Sequence, residues 1–201
     1  MDTRERLMAA AGNLVDQFGV HDVGLDVILR EANVSKTTFY KYFASKDELA
    51  VAAVENCGQT AVAKIKSKLE IGGGSSLEEA LVEFFYAWDD ALFSSELEGC
   101  LFFKVCSEYP NPNDAMHQAG QTFPLAIETI ISDLLASHQV GNPKLATDTL
   151  MMILHGYASY KFINKHHDLR SVAEFMIRRT AALLGTKDKW IEATNRIGAS
   201  G

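Results

Sequence analysis

The sequence predicts an all-α protein: an amino-terminal three-helix helix-turn-helix module followed by a larger helical domain, with about nine helices in total. Three observations carry this expectation. Apolar residues recur at three- and four-residue spacing almost throughout, strand-like alternation is scarce, and only four prolines interrupt 201 residues. An apolar share of 47% supplies one sizeable core, or a small module plus a larger domain.

Each element has a local justification. Asp2 caps a first helix, with Glu5 three residues on at capping-box spacing. Leu7, Ala10, Ala11, Leu14, Val15 and Phe18 form its apolar face, and Gly19 ends it. Val20 and Val23 read as plugs that tie the following loop to the core. A second helix spans about residues 25–32, with Val27, Ile28 and Leu29 inward and Gly24 as an unexceptional cap. Asn33 suits a tight turn because it tolerates a left-handed backbone. Val34 anchors that turn, and Ser35 caps a third helix over residues 36–42, held by Phe39 and Phe43 four apart. Ser45, with Glu48 in a second capping box, opens a long helix through Leu49, Val54, Ala61, Ile65 and Leu69.

The glycine- and serine-rich run at residues 72–76 is the clearest linker. Beyond it, helices are expected at 77–93, 99–109, 113–137, 144–164 and 169–184. Pro124 should kink or divide the third of these. Pro110 and Pro112 close the second, and Gly141-Asn142-Pro143 marks a turn before the fourth. The tail has weak periodicity, with Trp190 and Ile191 available to dock it. The expected organisation is therefore a module at 1–48, a connecting helix at 49–71, a helical domain at 75–185 and a tail at 186–201.

The segment from 25 to 46 carries the most specific chemistry. Helix-turn-helix readout needs a bracing helix, a tight turn, and a second helix with short polar side chains at its start. Thr37 and Thr38 are small enough for close approach to a major groove, with a hydroxyl for a base edge and a methyl for a thymine methyl. Lys36 reaches a guanine edge or a phosphate. Tyr40 and Tyr42 carry hydroxyls suited to phosphates, and Lys46 stands in the first turn of the next helix, where a phosphate is also favoured.

The formal charge of −7 weighs against a broad basic surface. The first 50 residues hold six basic and eight acidic side chains, a net of −2. Binding of duplex DNA must then rest on local placement of Lys36, Lys41 and Lys46, five residues apart, with strong salt dependence.

Spaced matches run from Leu7 to about Ala53. They include Ala10-Ala11, Leu14, Phe18-Gly19, Ile28 and Ala32-Asn33-Val34, then Thr38-Phe39-Tyr40, Tyr42-Phe43 and Ser45-Lys46-Asp47-Glu48-Leu49. On these residues the chain resembles the tetracycline-repressor family of bacterial transcriptional regulators. The resemblance implies that Lys36, Thr37 and Thr38 read bases and that Tyr40, Tyr42 and Lys46 grip phosphates. It also implies an effector-binding carboxyl-terminal domain, release of DNA when the effector binds, and a homodimer closed by a four-helix bundle. Gly24 departs from the usual Ser or Thr cap, and Asn33 from the usual turn glycine. Gly99-Cys100-Leu101-Phe102 and Glu108-Tyr109-Pro110 resemble one recurring branch, which names no ligand.

In the second region, aromatic and sulfur-bearing side chains are the effector-pocket candidates: Phe84, Phe85, Trp88, Phe102, Phe103, Cys106, Tyr109, Met116, Phe123, Met151 and His155. Their composition suits a small apolar or aromatic molecule, although core packing explains any single one equally well. The last two long helices are the candidate dimer face, through Leu150, Leu154 and Phe162 on one and Val172, Phe175, Met176 and Arg179 on the other.

The sequence offers no convergent nucleophile, base or metal set, so no enzyme activity, cofactor or metal is expected. His166, His167 and Asp168 suit a solvated helix end better than a metal site. The odd count of three cysteines, with no CxxC pair, and the lack of a leader or an apolar run of about 18 residues lead to the expectation of a cytoplasmic protein without a membrane partner. The expected function is a DNA-binding transcriptional repressor acting on a palindromic operator. The alternative is a protein-binding adaptor on the same fold that has lost DNA affinity.

Overall fold

The computed structural model describes residues 1–72, 76–93, 101–164 and 169–185. Among these are nine α-helices: α1 (Thr3–Phe18), α2 (Leu25–Ala32), α3 (Lys36–Phe39), α4 (Lys46–Gly72), α5 (Leu77–Leu92), α6 (Leu101–Glu108), α7 (Ala115–Ser137), α8 (Pro143–Ile163) and α9 (Arg170–Leu184). The linker residues 73–75, Cys100, the His166-His167-Asp168 group and the tail 186–201, with Trp190 and Ile191, lie outside the described residues. No described helix is long and apolar enough to cross a membrane.

The local signals in the first 50 residues translate into structure almost one for one. Asp2 Oδ1 accepts from Glu5 N at 2.8 Å while Glu5 Oε2 accepts from Asp2 N at 2.7 Å, a complete capping box. Gly19 leaves α1 with φ 85°, a region open to glycine, and Asn33 turns the chain in the left-handed region with φ 52°. Ser35 Oγ accepts from Thr38 N at 3.1 Å, and Ser45 Oγ from Glu48 N at 3.1 Å. Glu48 does not close the box on its own cap residue; its Oε2 takes Ala44 N at 2.6 Å instead.

Three expectations need correction. The third helix stops at Phe39 rather than Tyr42, because Lys41 N and Tyr42 N bond back three residues, to Thr38 O and Phe39 O, and the chain tightens out of α geometry. Val27 is 38% exposed: the buried stripe of α2 runs through Ile28, Leu29 and Ala32, with Leu25 half-buried against it, and Val27 lies off it. Phe18, 59% exposed, has passed beyond the buried face of α1.

The chain divides into two compact units, residues 1–64 with 90–125 and residues 65–89 with 126–201. The core of the first is built from Leu7, Ala11, Ile28, Phe39, Phe43, Leu49 and Ala53, all essentially inaccessible. Phe102 of α6 stacks on Phe123 of α7 with ring centroids 4.5 Å apart, and Gly58 of α4 leaves room for that pair. The second unit buries Ile65, Leu81, Phe85, Ile131, Leu135 and Ile177. Pro124 sits inside α7 without ending it, and the division between the units follows one residue later.

Candidate nucleic-acid interface

The reading segment is a short helix braced from behind. Phe39 and Phe43 are buried and stacked with centroids 6.1 Å apart, which fixes α3 on the α1–α2 core. Tyr40 meets Phe39 edge-on at 5.0 Å, yet stays more than half exposed. Lys36, Thr37, Lys41 and Tyr42 are exposed as well, so five of the seven candidate DNA contacts stand open around α3 and the turn after it. Two ammonium groups, one free threonine and two phenols together offer base-edge and phosphate donors within seven residues.

Thr38 and Lys46 are placed differently. The Thr38 hydroxyl lies 2.8 Å from Ser35 Oγ, so it is part of the cap of its own helix. Lys46 is half-buried, and its Nζ donates to Val20 O at 3.3 Å and to Val23 O at 3.1 Å in the loop between α1 and α2. That ammonium staples the loop to the start of α4. Arg4 was absent from the sequence-derived set; its guanidinium lies 5.3 Å from the Phe43 ring centroid, which holds one more cation beside the segment. Cation–π placement across 39 residues of sequence leaves no spacing signal that would have found it.

The effector candidates fall in both compact units. In the first, Phe102, Met116 and Phe123 are buried, while Cys106 and Tyr109 are half-buried. The Cys106 thiol contacts His117 O at 3.8 Å, and burial pushes its pKa up. Phe103 is 70% exposed because it lies on the face of α6 opposite Leu101, Phe102 and Val105; it does not line an interior pocket. In the second unit, Phe84, Phe85 and Trp88 are buried and Met151 half-buried. His155 is on an exposed face of α8, which removes it from an interior site, though partial desolvation lowers its pKa.

Sequence reasoning missed the polar centre of the second unit. Asp89 is fully buried; its Oδ1 accepts from Tyr157 Oη at 2.6 Å and from Lys161 Nζ at 2.7 Å, and its Oδ2 accepts from Arg170 Nε. Phe85 meets the Tyr157 ring edge-on at 5.2 Å. Among the dimer-face candidates, Leu150 and Leu154 are buried within the single chain and so brace α8 from inside, and Phe162 is half-buried. Val172, Phe175, Met176 and Arg179 are exposed on α9, as are Met152, Tyr160 and Ile163 on α8. Among the described residues, no group of three or more His, Cys, Asp or Glu side chains is placed to hold a metal ion.

Residues 7–53 match the family model for bacterial regulatory proteins of the tetR family. Over 134 residues the chain is 28% identical to the HTH-type transcriptional repressor NemR of Escherichia coli K12, covering 67% of each protein. Over 162 residues it is 20% identical to the HTH-type transcriptional regulator YjdC of the same organism, covering 81% of this chain and 84% of that one. The fold is similar to that of SCO4454, a TetR-family transcriptional regulator from Streptomyces coelicolor, with a TM-score of 0.77 at 22% identity over 92% of this chain and 90% of that one. It is equally similar to the reduced form of E. coli NemR, with a TM-score of 0.77 at 24% identity over 89% of this chain and 96% of that one.

Proposed function

We propose that this chain, whose residues 7–53 are a TetR-family regulatory domain, is a sequence-specific transcriptional repressor that leaves a palindromic operator when a small apolar or aromatic effector binds. One observation carries the DNA-binding part. Lys36, Thr37, Tyr40, Lys41 and Tyr42 are all exposed on a short helix and turn that the buried Phe39 and Phe43 hold rigidly. Residues 1–48 then form the DNA-binding domain, 49–71 the connecting helix, and 75–185 the effector-binding and dimerisation domain.

The exposed apolar residues of α8 and α9 support a homodimer. Val172, Phe175, Met176 and Arg179 recur at helical spacing on α9, and the Arg179 guanidinium lies 5.1 Å from the Phe175 ring centroid. A two-fold axis through this face pairs two reading segments for half-sites about 34–36 Å apart, or a multiple of that. It also doubles the phosphate contacts of a chain whose net charge is −7. The buried aromatics of either unit suit an uncharged effector, and the cytoplasm is the compartment in which such a regulator meets DNA.

Selection of duplex sites from a random pool by the purified protein, at low salt, tests the reading. Enrichment of a two-fold symmetric operator is the expected result. No enrichment, with the protein folded, removes the regulator reading and favours the adaptor.

A further inference from the structure

The end of α6 grips the loop that carries α1 into α2, and the grip is made by side chains, not by apolar packing alone. Val20 N donates to both carboxylate oxygens of Glu108, at 3.2 and 3.0 Å, and His21 N donates to Oε2 at 3.1 Å. One turn earlier on α6, Lys104 Nζ donates to Asp16 O, a carbonyl in the last turn of α1. The His21 ring stacks on Tyr109 with centroids 5.0 Å apart, and its Nε2 lies 3.9 Å from Glu108 Oε2.

Two features show that this contact is built into the loop. A Cβ at position 19 would stand 2.5 Å from Glu108 Oε1, so Gly19 serves the approach of the carboxylate as well as its own φ of 85°. The same loop is held from its other side by Lys46, through Val20 O and Val23 O. The amide of Val20 is thus taken by α6 and its carbonyl by α4. Bonds from two backbone amides to one carboxylate are charge-assisted and directional. They fix where the loop lies, and α2 begins four residues after His21, with α3 following through a single turn.

We infer that Glu108 is a positioning residue for DNA binding: its carboxylate seats the α1–α2 loop, and through it the α2–α3 reading unit. The inference rests on the regulator reading above. Glu108 touches no DNA in this scheme and sits outside residues 7–53.

The test uses the full-length protein and the operator selected above. Glu108→Gln keeps an acceptor for the loop amides but loses the charge, and Glu108→Ala removes both. Because neutralising any acidic side chain also makes the protein less negative, Asp133→Asn, at an exposed position of α7, supplies the charge-matched control. Expected are an operator affinity reduced about ten-fold in Glu108→Ala and by an intermediate amount in Glu108→Gln, relative to Asp133→Asn, with an unchanged salt slope. Hydrogen exchange should quicken at the Val20 and His21 amides and stay slow at Phe39 and Phe43. If Glu108→Ala melts the module, Glu108→Gln alone carries the comparison. A folded Glu108→Gln within about two-fold of the control overturns the inference while leaving the regulator reading intact. Wild-type protein that selects no operator overturns that reading, and the inference falls with it.

Discussion

Ser35 Oγ and Thr38 Oγ1 lie 2.8 Å apart at the start of α3, with Thr38 N donating to the same serine oxygen at 3.1 Å. The cap of the reading helix therefore uses a hydroxyl that the sequence offered equally to a base. This divides the two adjacent threonines. Thr37 is exposed and has no such partner at the cap, so Thr37→Ala should relax selectivity at one base-pair position by about 1–3 kcal/mol. Thr38→Val keeps the branched shape and the backbone cap bond but loses the hydroxyl bond to Ser35 Oγ; it should cost about 1 kcal/mol of stability and leave the selected operator unchanged. Binding to a panel of single-base operator variants, with thermal unfolding of both proteins, reads the two effects separately. A change of base preference in Thr38→Val would put its hydroxyl back on the DNA.

Lys41 and Lys46 should separate in the same way. Lys41 is exposed, so Lys41→Ala should weaken binding to all sequences alike and lower the salt slope by about one. Lys46 spends donors on Val20 O and Val23 O. Lys46→Ala should lower the melting temperature and weaken binding while changing the slope by well under one. Salt titrations of the two variants on one operator make the comparison. Equal slope changes would return Lys46 to a phosphate.

The sequence was legible where the physics is local. Asp2 with Glu5, Gly19, Asn33 and Ser35 each act within four residues, and each takes the expected role. Periodicity located the helices but blurred where a face ends: Phe18 and Val27 kept helical spacing with their neighbours and still emerged exposed. Composition alone picked the aromatic candidates, so it could not separate Phe102, buried against Phe123, from Phe103, its exposed neighbour. The contacts that tie elements together were invisible. Glu108 and Val20 are 88 residues apart, and Asp89 and Arg170 81 apart, with nothing in either segment to announce the partner.

Breaking the buried Asp89 cluster should destabilise the second unit, because it strands charge away from water. Asp89→Asn removes the negative charge that pairs with both Lys161 and Arg170, and should cost about 3 kcal/mol, the lower end for a broken buried pair because Arg170 keeps part of its solvation. Tyr157→Phe should cost about 1–3 kcal/mol by leaving one lone pair of Asp89 unsatisfied. The tyrosine also sets an alkaline limit. Burial first, and then its bond to Asp89, raise the Tyr157 pKa well above the usual phenol value. The phenol stays protonated in the folded chain while its unfolded counterpart ionises from about pH 10. Its contribution is therefore complete below about pH 10 and lost as pH rises toward the folded value. Denaturant unfolding across that window should show a decline that Tyr157→Phe reduces. An identical decline in both proteins would assign it to other groups.

Gly12 and Cys57 form a packing pair whose cost can be measured by a double-mutant cycle. A Cβ at Gly12 would meet Cys57 Sγ at 2.7 Å, inside any tolerated contact. Alanine in place of a mid-helix glycine should add about 1 kcal/mol through helix propensity. Overpacking against the sulfur should remove about 1–3 kcal/mol. Gly12→Ala alone should thus be neutral to destabilising. In a Cys57→Ala background the clash disappears and the same change should stabilise by about 1 kcal/mol, which makes the coupling of the two sites favourable. The thiol itself reports on the packing. Burial foremost, and the nearby Asp16 carboxylate second, push the Cys57 pKa up to about 11, so little thiolate exists near neutral pH. Alkylation of Cys57 should be slow in the folded protein and reach the rate of an ordinary thiol on unfolding. Rapid folded-state labelling, or additive effects of the two substitutions, would show that α1 and α4 do not close on this pair as the structure has it.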